Sequence, residues 1–365
     1  MNNVKNRKIM DYYSDYLLSS FGQTTATGLS NLLEGSVSHD QITRMLSAQL
    51  YTSKDLWKEV KPLVRSYESA KACLIFDDTI IEKPYTDEND IICWHWDHSK
   101  NCNVKGVNLL TAFYHTESPQ SSQPLRVPIS FELVKKTEHF VDAKTGKEKR
   151  RSPITKNEMM CDIIKQSVKK LHLVFEYVLS DSWFASSDNM LFIHKLKKKF
   201  VMDIKSNRLC MLATQDRKQG QWTNLDKLPL QPKQPIKIWI KDLKIPVLLC
   251  KFVFKNKDRS IGEMYLVSND LELSADQFEE LYKKRWSVEE YHKSLKQNAS
   301  LAKSPTRTVK TQTSHIFASL LAYIKLEKLK FIHNTNHFAL KSKIYFEAVK
   351  IAWKNLKFLN IYVHA

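Results

Sequence analysis

Two short apolar runs, each ending in acid, constrain this chain more than anything else in it. "KACLIFDDTII" runs into Asp77 and Asp78, and "FEYVLSDSWF" runs into Asp181. Both are short, rich in β-formers and bounded by polar residues, the pattern of a buried strand. "IICWHW", "GVNLLTAFYH" and "LRVPISFELV" read as further strands, with Pro128 pushing the last toward a sheet edge. "DAKTGKEKRRSPIT" reads as a basic loop. Thr155 and Glu158 form a capping box for a helix reaching about Leu171, and "SDNMLFIHKLKKK" is a second helix. Strands, helix, strand, helix is a mixed α/β order. In such folds, charged side chains at the strand ends mark the site.

The flanking segments read differently. Residues 1 to about 65 are helix-periodic, and Ser38 with Gln41 caps a helix from about His39 to Leu50. Together with the preceding short helix and the Glu34-Gly35-Ser36 turn, this resembles a helix-turn-helix whose His39, Gln41 and Arg44 would meet DNA. From Phe200 to about Ser268 the apolar residues alternate and turn signals recur, as in an antiparallel β insertion. Ser274 and Gln277 then cap a long helix. Two more helices follow, about 309–331 and 340–357, the first expected to pack on the sheet. The resulting segments are 1–68, 69–199, 200–270 and 271–365.

Charge narrows the partner. There are 57 basic and 39 acidic residues, a formal charge of +18. The excess is spread along the chain and favours a polyanion, nucleic acid ahead of a membrane surface. No run of about 20 apolar residues is present, so no membrane span is expected. The start lacks a signal-peptide core, and six scattered cysteines with no C-x-x-C pair fit reduced thiols, so an intracellular place is expected. Cys93, His95, His98 and Cys102 could bind zinc, but their spacing fits a strand ending in a turn better. No glycine-rich phosphate loop occurs, which argues against a nucleotide-driven motor.

The long helix carries the second constraint. Tyr282, Arg285, Glu289 and Lys296 stand at offsets of three, seven and fourteen. At about 100° per residue they share an arc of about 60°. One carboxylate there and two at strand ends could hold a pair of Mg²⁺ ions about 3.5–4 Å apart. Spacing alone leaves Asp77 or Asp78 open, because successive strand side chains face opposite ways. Asp188 rivals Asp181, although it sits at a helix start where acids are expected.

Y-x₂-R-x₃-E-x₆-K, met by Tyr282, Arg285, Glu289 and Lys296, resembles the signature of insertion-sequence DDE transposases of the IS-four type. "LIFDDT" and "VLSDSWF" are similar to that family's two aspartate strands and select Asp77 and Asp181. The "IFDDT" form also resembles the neighbouring IS-701-like branch. The resemblance covers roughly residues 70 to 330. It implies a ribonuclease H-like catalytic domain with an antiparallel β insertion between the second and third acids, preceded by a small helical DNA-binding region. The 108 residues from Asp181 to Glu289 leave room for that insertion.

The implied activity is metal-dependent cleavage at element ends and strand transfer into target DNA. Asp77, Asp181 and Glu289 would be catalytic and would bind two Mg²⁺, with Mn²⁺ able to substitute. Tyr282, Arg285 and Lys296, with His292 and Lys293 of the same helix and Arg44 near the N-terminus, would contact DNA. The partners implied are terminal inverted repeats and target DNA, with a homodimer joining two ends in a prokaryotic cytoplasm, at the nucleoid. A nuclease without strand transfer and a transposase-derived DNA-binding protein are the alternatives.

Overall fold

The apolar runs form strands because their β-branched and aromatic side chains fit a pleated surface buried on both faces. The computed structural model describes residues 2–117, 123–213, 220–256 and 258–363. Four helices come first: α1 (Asn2–Ser19), α2 (Ala26–Leu32), α3 (His39–Ala48) and α4 (Ser53–Ser66). Then come β1 (Cys73–Glu82), β2 (Ile92–Asp97), β3 (Cys102–Thr116), β4 (Leu125–Leu133), β5 (Glu138–Val141) and β6 (Glu148–Arg151). Helix α5 (Lys156–Lys169), β7 (Tyr177–Ser180), α6 (Ser187–Lys195) and β8 (Lys199–Asp203) follow. The next strands are β9 (Leu209–Leu212), β10 (Thr223–Asn224), β11 (Ile236–Ile240), β12 (Val247–Lys255) and β13 (Ile261–Ser268). Helices α7 (Ala275–Gln297), α8 (Val309–His333) and α9 (His337–Val363) complete the order.

The chain divides into two compact units. A sheet-rich unit holds Lys61–Thr79 and Asn108–Glu289. A helix-rich unit holds Met1–Val60, Ile80–Val107 and Glu290–Ala365.

In the sheet-rich unit the strand order is β10-β9-β11-β12-β13-β8-β7-β1-β3, with β4 on β3. β1, β7 and β8 run parallel to their neighbours in this group, whereas β8 meets β13 antiparallel. Pro128 stands opposite Phe113 beside a register shift in the β3–β4 ladder. A bulge and an edge strand both tolerate a missing N–H, as expected for that proline.

Two expectations change. The segment from Phe200, expected to open an antiparallel insertion, instead starts with β8, which pairs in parallel with β7. Apolar periodicity identifies a strand without giving the direction of its partner. The antiparallel strands proper, β9 to β13, continue the same sheet. The basic loop is instead a hairpin, β5–β6. Its strands are held by charge pairs rather than an apolar face: Arg151 to Glu138 at 3.0 Å and Lys149 to Asp142 at 2.6 Å.

Helix α8 packs on α1, α3 and α9. Its buried residues, from Gln312 and Phe317 to Leu326 and Lys330, surround the helix, so it forms the centre of a helical group. Tyr13 of α1 bonds His315 Nδ1 at 3.0 Å, and the other imidazole nitrogen lies 3.1 Å from the Ser300 carbonyl. Burial pushes the His315 imidazole down to about 4, and Lys83 adds to the shift.

Several local expectations hold. Ser38 and Gln41 make a reciprocal capping box at α3, and Thr155 and Glu158 make another at α5. Ser274 and Gln277 exchange the same two bonds before α7, at 2.9 and 3.2 Å. Between α2 and α3 the chain turns through left-handed Glu34 (φ 50) and Gly35 (φ 75). Residues 98–101 form the turn between β2 and β3, which pair from Ile92↔Val107 to Asp97↔Cys102. Among the described residues no helix is long and apolar enough to cross a membrane.

Candidate active site

Parallel pairing brings the first two acids together. The β1–β7 ladder matches Leu74 with Val178 and Ile75 with Leu179. Two residues further on, Asp77 falls opposite Asp181. Residues in register on parallel strands project from the same face, and neighbouring strands lie about 4.8 Å apart. Asp77 is held by its own strand, its Oδ1 accepting the Asp78 N–H at 2.9 Å. Asp181 lies one residue beyond β7, with Oδ1 accepting the Trp183 N–H at 3.0 Å.

Asp78 takes the opposite face. Its carboxylate accepts Lys156 Nζ at 2.7 Å and Asn108 Nδ2 at 2.6 Å. Lys156 also lies 4.7 Å from the Trp183 ring centroid. Asp188 sits in the first turn of α6, where it faces the helix dipole.

Electrostatics separates these acids from ordinary surface carboxylates. Burial pushes the Asp77 carboxyl up to about 7, and the nearby charges of Asp181 and Asp78 push it further the same way. Burial also raises Asp181. Arg285 opposes both shifts. Its guanidinium lies 5.2 Å from the Tyr282 ring centroid and donates from Nη2 to Glu289 Oε1 at 2.9 Å. The Arg285 side chain is only 10% exposed, whereas that of Glu289 is 56% exposed. Tyr282 is buried, and that burial raises its phenol. Arg285 is therefore the charge that links Asp77, Asp181 and Glu289.

Glu289 does not stand with the two aspartates as the sequence led one to expect. Its carboxylate is turned to Arg285 one helical turn back. Among the described residues no three acid, histidine or cysteine side chains gather closely enough to hold a metal ion. The physical reason is local: a buried guanidinium attracts the nearest flexible carboxylate at i+4. Asp77 and Asp181 themselves fit a hard divalent cation. They are oxygen donors on neighbouring strands, and their mutual repulsion is what a cation would relieve.

The remaining candidates lie in the helix-rich unit. Lys296 is half-buried; burial lowers its ammonium, against the pull of Asp97 and Glu82. His292 is buried, its ring 5.1 Å from that of Tyr291. Lys293 is exposed, with Nζ 5.2 Å from the Phe338 ring. Arg44 is exposed on α3 and donates from Nε to the Asp40 carbonyl at 3.3 Å. The Gln41 amide oxygen is occupied in the capping box.

One acid escaped the sequence reading. Asp203 ends β8, beside Asp181, and burial with the Asp181 charge pushes it up to about 6. The signal was present: "KFVMD" is a third apolar run that ends in aspartate.

A model of the family described as the transposase DDE domain matches residues 68–325. The chain belongs to that family. The match spans β1, β7 and most of α8, and so includes all the acids just described. Membership gives the protein a transposase role in general terms, with DNA as its partner and the nuclease-type activity that the family implies. No curated protein shows significant similarity to the chain.

Proposed function

We propose that this DDE-family protein is the transposase of an insertion sequence of the IS-four type, cutting at element ends and joining them to target DNA. The observation that carries this is the register of Asp77 with Asp181 on adjacent parallel strands, with Arg285 coupled to both and to Glu289. The parallel strands with α5, α6 and α7 form a ribonuclease H-like core in this reading, and β9 to β13 are its insertion. Residues 1–68 are the DNA-binding region, 69–199 and 271–365 the two parts of the core with its C-terminal helices, and 200–270 the insertion segment.

Asp77 and Asp181 would hold Mg²⁺ or Mn²⁺, joined by Glu289 once it leaves Arg285. Two ions bound there would polarise the scissile phosphate and make a water or 3′-hydroxyl nucleophilic at neutral pH. The chain's own groups do the rest. Arg285, buried over Tyr282, offers charge-assisted hydrogen bonds to a phosphate oxygen. Lys156 neutralises Asp78 and leaves Asp77 the acid facing the substrate. Lys296, Lys293 and Arg44 supply further phosphate contacts, consistent with the +18 charge. The terminal inverted repeats are the specific DNA and the nucleoid the place of action. Exposed Phe346, Ile351, Trp353 and Leu356 on α9 support a homodimer that holds two ends together.

The test is product analysis. The full chain is incubated with Mg²⁺, a fragment carrying its element end and a target plasmid. Element ends covalently joined to the plasmid are expected. Nicked ends with no joined product would replace this reading with a nuclease that lacks strand transfer. Bound but uncut DNA would leave a transposase-derived binding protein.

A further inference from the structure

We infer that Trp183 stacks on the terminal base of a cut DNA end and so keeps that end beside the acids between cleavage and joining. This rests on the end-cleaving reading above. The loop after β7 fixes where the indole lies. Asp181 Oδ1 accepts the Trp183 N–H at 3.0 Å, so Trp183 is tied directly to a candidate catalytic carboxylate. The next residue, Phe184, is wholly buried, and its carbonyl accepts Asn189 Nδ2 at 2.9 Å. Asn189 is buried in turn and lies 3.0 Å from Asn157 Oδ1. Trp183 is thus held between two fixed neighbours.

The ring is also backed on one face. Lys156 Nζ lies 4.7 Å from its centroid and 2.7 Å from Asp78, and the lysine charge acts on Asp181 too. A cation over an aromatic face attracts the ring and steadies it. Even so, Trp183 remains 46% exposed. A large flat side chain with two χ angles, already steadied, loses little conformational entropy when a ligand covers it.

The chemistry of the occupant follows from the place. DNA is the partner of this family. Asp78 and Lys156 are on the face of β1 away from Asp77, so the indole flanks the acids instead of covering them. What reaches it is a neighbour of the reacting phosphate. Inside a duplex both faces of a base are covered by the stack, whereas cutting leaves a terminal base with one face open. Any base offers such a face, and stacking on an aromatic side chain needs no particular sequence.

The experiment compares binding of labelled duplexes to the full chain in EDTA, where nothing is cut. One duplex stops at the element's terminal base pair, a second lacks the terminal base at an abasic nucleotide, and a third runs on into flanking DNA. Trp183→Ala is expected to weaken binding of the first by about tenfold or more, and Trp183→Phe to recover most of it. Binding of the third is expected to change little. Wild type is expected to lose about as much on the abasic duplex, and Trp183→Ala to lose nothing further there, because both changes remove one contact.

An alanine variant that weakens all three duplexes equally would make Trp183 a structural residue and overturn the inference. Losses that add in full would overturn it too. The abasic duplex on wild type needs no variant: equal affinity for intact and abasic ends overturns the inference and leaves the end-cleaving reading intact. A wild type that binds the element end no better than a scrambled duplex overturns both.

Discussion

Asp77→Asn is expected to lose end cleavage by about 10³-fold or more, because several kcal/mol of transition-state charge stabilisation disappears with the ligand. The same substitution is expected to stabilise the protein in EDTA. Burial and two neighbouring acids raise the folded-state carboxyl to about 7. Below the unfolded value near 4, Asp77 is neutral in both states and contributes nothing. Between about 4 and 7 the unfolded chain ionises first, so wild-type stability falls as pH rises. Asparagine removes that fall. Urea unfolding in EDTA at pH 8 should show the variant more stable by about 2–4 kcal/mol. At pH 4 the two should be alike. A variant that cleaves like wild type, or one less stable than wild type at pH 8, would remove Asp77 from the site.

Arg285→Met is expected to show the opposite pH pattern. The methionine keeps much of the apolar stem and removes the charge that Asp77, Asp181 and Glu289 share. Breaking a buried charge pair costs about 3–5 kcal/mol. Here Glu289 is more than half exposed and can turn to water, so about 3 kcal/mol is expected at pH 8. Toward pH 4 the raised Asp77 and Asp181 carboxyls, which Arg285 compensates, take up protons, and the loss should shrink. Unfolding midpoints at the two pH values check this. An equal loss at both would make Arg285 a packing residue whose charge does not act on the acids. In DNA-cleavage assays the variant should also lose activity beyond its loss of folded protein, because the guanidinium proposed to meet the phosphate has gone.

The sequence made some of this legible for definite reasons. An apolar run ending in acid became β7, the run before Asp77 became the first half of a β1 that continues to Glu82, and capping boxes marked α3, α5 and α7 to within a residue or two. These are local signals, set by side chains a few positions apart. Helix geometry likewise brought Arg285 and Glu289 together. What escaped was non-local. The direction of β8 depends on β7, and the surroundings of α8 depend on α1, α3 and α9. The β5–β6 hairpin lacks an apolar face, so its charge pairs left no periodicity to read. Asp203 ends a strand whose place beside β7 depends on that parallel pairing, which no local pattern encodes. His292 was placed on the helix, but its burial could not be read from that placement.

Glu289→Gln tests the central claim most directly, because Glu289 is the acid that must leave Arg285 to join Asp77 and Asp181. The measurement is binding and cleavage of a fragment carrying the element end, with Mg²⁺ and with EDTA, by wild type and variant. The expected result is metal-dependent cleavage by wild type only, with variant binding within a few-fold and its cleavage lower by about 10³-fold. Cleavage by the variant at close to the wild-type rate would contradict the account, leaving Glu289 as the salt-bridge partner of Arg285 and the arc of α7 as a structural face.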